Sequence, residues 1–270
     1  MLIRPEAIHH WINHFYGYGS WEARFWFVGY EESGGDLPEE VSEKLNYFYD
    51  AHGSTAGPTL CSIRELYKRI AFRIEGPRAE RFASFHDHRF GTHAVQHGFW
   101  KNLTAFAFGY QNKKLPDLLL YQQKQFASSS SQEALIQLYP LPAHNHAWYY
   151  SWLDLPQFPF LKTRVLYEQH VYENRIHGLF TQLKQHQPEI VLMYGMENIN
   201  KLKASAQEFF PSVKFKTVKA VKHQIPQYHY ADIGSTILII TTQIPGLRHN
   251  RVETGFDWQE FGKTVSETVR

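Results

Sequence analysis

Two adjacent acids, Glu31 and Glu32, follow the apolar run Phe25-Trp26-Phe27-Val28 and Gly29. A carboxylate just past a buried strand can act as a general base or bind a metal, whereas the plainer reading is a solvated loop acid. The loop from Tyr30 to Asp36 is glycine-rich, but it lacks Gly-x-Gly-x-x-Gly, and the chain has no Gly-Lys-Ser or Gly-Lys-Thr for a P-loop. Two glutamates side by side would also repel a phosphate. His86, His88, His93 and His97 form a His-x-His and a His-x-x-x-His with Asp87 among them. On a helix the second pair would share a face and could hold zinc or iron, although chance clustering competes in a chain with 16 histidines. His144-Asn145-His146 has the letters of an HNH nuclease, yet residues 147–154 supply no further ligands. Gly-x-Ser-x-Gly is missing, which removes the usual serine-hydrolase elbow. The one cysteine, Cys61, falls in an apolar pattern and reads as core. It excludes an intramolecular disulfide, a four-cysteine iron–sulfur cluster and Cys-based zinc ribbons, and it fits a reducing compartment.

The elements that must position these groups follow from hydrophobic spacing. Helical patterns occur at residues 5–16, 39–51, 60–72, 99–108, 163–186, 199–209 and 258–269. Short apolar runs at 25–28, 134–139, 190–194 and 236–241 read as buried strands, with another strand in 213–218. Ser128 to Ser131 is a low-complexity break, either a flexible loop or a helix-capping turn. Strands separated by helices imply an α/β fold with a mainly parallel sheet covered on both faces, and such sheets bind ligands at the carboxyl ends of their strands. Attention therefore falls on residues 30–36, 139–146, 195–198 and 243–250. The 270 residues, 43% hydrophobic and 20% charged, favour a single domain over 1–270, with two tightly packed halves as the alternative. No repeat of fixed period is visible.

The net charge of +2 predicts neither a nucleic-acid coat nor an acidic tail. Its distribution is uneven: Glu31 to Asp50 holds seven acids and one lysine, while Arg64, Lys68, Arg69, Arg73, Arg78 and Arg81 crowd one stretch. Lys201, Lys203, Lys214, Lys216, Lys219 and Lys222 make a second basic stretch. These are two solvated faces or one phosphate-tracking surface. Residues 1–16 lack the unbroken apolar run of a secretory signal, and no stretch approaches the roughly 20 apolar residues of a membrane span. The expectation is a cytoplasmic protein that does not enter a membrane.

Taken together, the four strand-end loops resemble the uracil-DNA glycosylase superfamily. In that family a strand is followed by Gly-x-(Asp or Asn)-Pro-Gly, and here stands Phe27-Val28-Gly29-Tyr30-Glu31-Glu32-Ser33-Gly34. The next strand of some members carries an asparagine shortly before Pro-Leu, and this chain has Gln137-Leu138-Tyr139-Pro140-Leu141-Pro142. A later strand ends in glycine, as Ile190-Val191-Leu192-Met193-Tyr194-Gly195 does, and opposite the family's His-Pro-Ser lies Thr242-Gln243-Ile244-Pro245-Gly246. The resemblance implies a three-layer sandwich with a central, mainly parallel four-stranded sheet. It also implies that Glu31 activates water, that Gln137 reads the base, and that Tyr30, Tyr139 or Tyr194 stacks on a flipped base. Gln243 takes the place of the histidine that assists the departing base, and Arg248 and His249 lie where members insert a loop into the duplex. Glu32 replaces the family's proline.

Cleaving a base from deoxyribose develops positive charge on the sugar and negative charge on the base, so a carboxylate and base-facing donors are both required. Gln243 donates one hydrogen bond but cannot act as an imidazole does. Three functions therefore stand open: a cofactor-free hydrolase that removes a damaged base from DNA, an inactive relative that binds a nucleobase, a nucleotide or a protein partner, and a metalloenzyme built on His86, His88, His93 and His97.

Overall fold

The computed structural model describes residues 3–32, 37–73, 81–143, 148–153, 155–246 and 256–269. Helix α1 (Pro5–His14) opens with proline in its first turn, where the missing N–H costs nothing, and buries Ile8, Trp11 and Ile12. It passes without a loop into β1 (Phe15–Tyr18), and β2 (Phe25–Glu31) follows. Then come α2 (Pro38–His52), β3 (Thr59–Cys61), α3 (Ile63–Lys68), α4 (Phe85–Phe90), α5 (Gly98–Tyr110) and α6 (Leu118–Lys124). After β4 (Glu133–Tyr139), two short 3-10 turns, Tyr149–Trp152 and Pro159–Lys162, lead to the long α7 (Arg164–His186). The chain continues through β5 (Ile190–Tyr194), α8 (Ile199–Phe209), β6 (Lys216–Val218), β7 (Tyr228–Ile233), β8 (Thr236–Ile240) and α9 (Trp258–Val269).

All eight strands join one sheet in the order β3-β1-β4-β2-β5-β8-β7-β6. The sheet is thus twice as wide as the central four-stranded sheet that the resemblance implies. Those four, β4, β2, β5 and β8, are its centre and run parallel to one another. On one flank β1 lies antiparallel to β4, with β3 parallel to β1; on the other, β8, β7 and β6 form antiparallel pairs.

Opposite faces of β2 are covered by different helices. Phe25 packs on Tyr110 and Phe27 on Phe106, both from α5, while Trp26 contacts Trp21 and His186 at the end of α7. Phe25, Trp26, Phe27 and Val28 are fully buried, as a strand covered on both faces demands. Helix α9 docks on α5 through a pair of glycines. A Cβ on Gly109 would lie 2.0 Å from the Gln259 carbonyl oxygen, and one on Gly262 would lie 2.0 Å from that of Phe106. Among the described residues no helix is long and apolar enough to cross a membrane.

At the amino end of β4 an acid is fully buried. Tyr121 donates to Glu133 Oε1 at 2.7 Å, and Oε2 has no partner. Burial pushes the Glu133 carboxyl up to about 7, a rise that its hydrogen-bond donors only partly oppose. The folded state therefore holds this proton more tightly than the unfolded chain, whose carboxyl titrates near 4.5. Stability is untouched below that pH and declines as pH rises through the window from about 4.5 to about 7.

Two measurements check this packing. Gly262→Ala should lose about 1–3 kcal/mol in urea unfolding, since a backbone carbonyl is the obstructing atom. Glu133→Gln should gain stability relative to wild type at pH 8, by up to roughly 3 kcal/mol, and gain little at pH 4.

Candidate functional site

Gly29 sits where β2 approaches the carboxyl edge, in register with Gln137 on β4 and Tyr194 on β5. In-register residues of parallel neighbours share a face, and both side chains close over the glycine. A Cβ at Gly29 would lie 2.8 Å from the Tyr194 hydroxyl and 3.1 Å from Gln137 Oε1, so only glycine leaves them room. Gln137 is 6% exposed, and its Oε1 is buried without a hydrogen-bond partner. An orphaned acceptor of this kind costs about 1–3 kcal/mol unless something donates to it.

Beside this pair lies Glu32, the residue that stands in the proline's place. Its Oε1 accepts from Lys44 Nζ at 3.0 Å and from the Tyr67 hydroxyl at 3.2 Å, and its Oε2 accepts from Tyr18 at 2.9 Å. Lys44 also lies 3.7 Å from Glu40, one turn earlier on α2. Burial works against the Lys44 ammonium, but the two carboxylates outweigh it and hold its pKa above the usual lysine range. Tyr67 carries the network toward α5, its ring 6.5 Å from that of Trp100. The sequence reading missed this cluster. Its signal was Lys44, the one base among the seven acids of residues 31–50.

Glu31 turns the other way. It pairs with Arg164 in the first turn of α7, which also holds Glu168 at 3.0 Å. Burial pushes the Glu31 carboxyl above its ordinary range, against the pull of Arg164. Tyr30 and Tyr139 join this side, 4.7 Å apart, and Tyr139 reaches Tyr167 of α7 at 6.2 Å. They border a cleft of about 260 Å³ whose walls include Glu168, Tyr172, Glu197 and Lys201.

The predicted site residues thus fall into two groups, Gln137 with Tyr194 and Glu31 with Tyr30 and Tyr139. Gln243 is engaged through its main chain: its N–H donates to Thr241 Oγ1 at 3.2 Å and its carbonyl accepts from Gly195 at 2.9 Å. Among the described residues no hydrogen bond joins the side chains of Glu31, Gln137 and Gln243. Arg248, His249 and the His144-Asn145-His146 string lie outside the described residues.

The histidine quartet has separate tasks. His93 and His97 lie in the connection between α4 and α5, with His97 as the residue preceding α5, so they do not share a helical face. His97 stacks on Trp100 at 4.5 Å, and His88 packs against Phe72 and Phe82. Burial lowers His88 to about 4 and His97 to about 3, with Arg89 adding to both. Among the described residues no three His, Cys, Asp or Glu side chains group as metal ligands would.

The Glu32 network makes a measurable demand. Glu32→Ala should cost about 3–5 kcal/mol in chemical denaturation, because it removes the closer of the two carboxylates that hold the buried Lys44 ammonium and leaves Glu40 at 3.7 Å, and the double variant Glu32→Leu, Lys44→Met should lose less. Comparison with protein-family models, with characterised proteins and with solved structures gives no significant match for this chain, and its function is argued from the geometry above.

Proposed function

We propose that this chain is a uracil-DNA glycosylase-like protein that binds a nucleobase at the carboxyl edge of its central strands without hydrolysing the N-glycosidic bond. The observation that carries the reading is the buried, unpaired Oε1 of Gln137 beside Tyr194, over a glycine. A base edge that offers a ring N–H would supply the missing donor, and the Gln137 amide NH₂ can donate to an adjacent carbonyl. The four parallel central strands, with α5 and α7 on opposite faces of β2, support the three-layer arrangement that goes with this family. Binding is favoured over hydrolysis because Glu31, the residue matched to water activation, is held by Arg164 on the other side of the strand ends. Glu32, whose charge acts on Tyr194, already accepts three hydrogen bonds. DNA is the proposed source of the base.

Thermal unfolding with free bases and deoxynucleosides tests the binding. A base with an N–H beside a carbonyl should raise the midpoint, by the equivalent of about 2.7 kcal/mol at a hundredfold excess over Kd, and Gln137→Leu should abolish the rise. No stabilisation by any base would refute it. In parallel, uracil-containing oligonucleotides treated with alkali should show no strand breaks with wild type or Glu31→Gln. Cleavage by wild type that Glu31→Gln loses would establish the hydrolase instead.

A further inference from the structure

The protein buries a second cation, and it is handled differently from Lys44. Arg175, on α7, is 2% exposed, yet no carboxylate pairs with it among the described residues. Its Nε donates to the Leu138 carbonyl at 3.1 Å, Nη1 to that of Phe15 at 2.9 Å, and Nη2 to that of Gln137 at 2.7 Å. The Tyr16 ring lies against the guanidinium, 3.5 Å from ring centroid to Cζ. A guanidinium has five N–H groups, so these bonds leave two unspent. Carbonyl dipoles and a ring quadrupole offset part of its charge, but a full charge in a buried place is best satisfied by an opposite one.

Arg175 lines a cavity of about 120 Å³ between α1, α7 and the turn Pro159–Lys162. The polar lining is His9, Asn13, His170 and Asn174, with no aspartate or glutamate. Both rings are braced: His170 stacks on Phe160 at 3.9 Å, and His9 lies parallel to Phe158 at 6.2 Å. The Asn13 amide contacts His9 Nε2 at 3.2 Å and donates to the His9 carbonyl at 2.9 Å. With Asn13 donating to Nε2, a neutral His9 carries its proton on Nδ1. The pocket thus has a permanently charged floor, a rim on which His9 Nδ1, His170 and Asn174 can donate, and room for a small ion rather than a nucleotide.

We infer that this cavity is a binding site for a small tetrahedral or planar oxyanion, a phosphate or a carboxylate, seated on the free N–H groups of Arg175. Phosphate matches a guanidinium floor with side-chain donors around it, and a carboxylate would use the same bidentate contact. The site is separate from the proposed base site, although Arg175 grips the carbonyls of Gln137 and Leu138 from behind.

The test is thermal unfolding of the full chain in inorganic phosphate, acetate and chloride at equal ionic strength, together with the ³¹P line width of phosphate. Phosphate also stabilises proteins in general by exclusion from their surface, so the readout is the difference between wild type and Asn174→Asp, which places a carboxylate on the exposed rim. Wild type should gain roughly 3 °C more in phosphate than the variant does and should broaden the ³¹P line, while the two unfold alike in chloride. An equal gain for wild type in acetate, lost in Asn174→Asp, keeps the site and assigns it to carboxylates. The same gain in both proteins for every anion, with an unbroadened ³¹P line, overturns the proposal. Arg175→Gln, if it folds, should behave as Asn174→Asp does.

Discussion

A carboxylate removed from water needs donors, and at the end of β2 it takes them from three other elements. Tyr18 comes from β1, Lys44 from α2 and Tyr67 from α3, all converging on Glu32. β1 and α3 are short, and Glu32 gives them and α2 a common anchor. With Glu32 committed inward, Glu31 is directed to Arg164, and the two neighbouring acids that look equivalent in sequence come to serve different sides of the strand ends.

The parallel centre of the sheet was legible because its strands hold short apolar runs covered on both faces. Residues 25–28 of β2 are one such run, β4 is apolar apart from Glu133 and Gln137, and α8 and α9 fall on the predicted residues. The flanks were not legible for identifiable reasons. β1 follows α1 with no turn, so Phe15 continues a helical spacing while belonging to a strand. β3 has three residues, too few to establish a period, and β7 is half exposed and interrupted by His229 and Asp232; β6, by contrast, is the end of the strand expected in 213–218. The same division holds at the site. A strand-end position can be read from sequence, but the side to which Glu31 or Gln137 turns depends on Arg164, Lys44 and Tyr194, which are distant in the chain.

The two buried cations illustrate two solutions to one problem. Lys44 is neutralised by acids from its own helix and from the strand end, so its charge is local and closed. Arg175 is held by main-chain carbonyls of β1 and β4, which binds two antiparallel strands and a helix together without cancelling the charge. Its Nη2 contact falls on the residue whose side chain, on the strand's far side, carries the unpaired amide oxygen. β4 is thus gripped through its backbone at Gln137 while the side-chain oxygen of that residue is left unsatisfied.

The glycine contacts between α5 and α9 bear on how the molecule is made. Helix α5 is complete in the nascent chain well before α9 is made, and the two approach so closely that a Cβ at Gly109 or Gly262 would meet a main-chain carbonyl of the other helix. Until α9 emerges, the surface that will receive Phe261, including Phe106, lacks this cover. The helix that covers this face is therefore made well after the helix it covers, and before it docks an aromatic face is open to chaperones or to other unfinished chains.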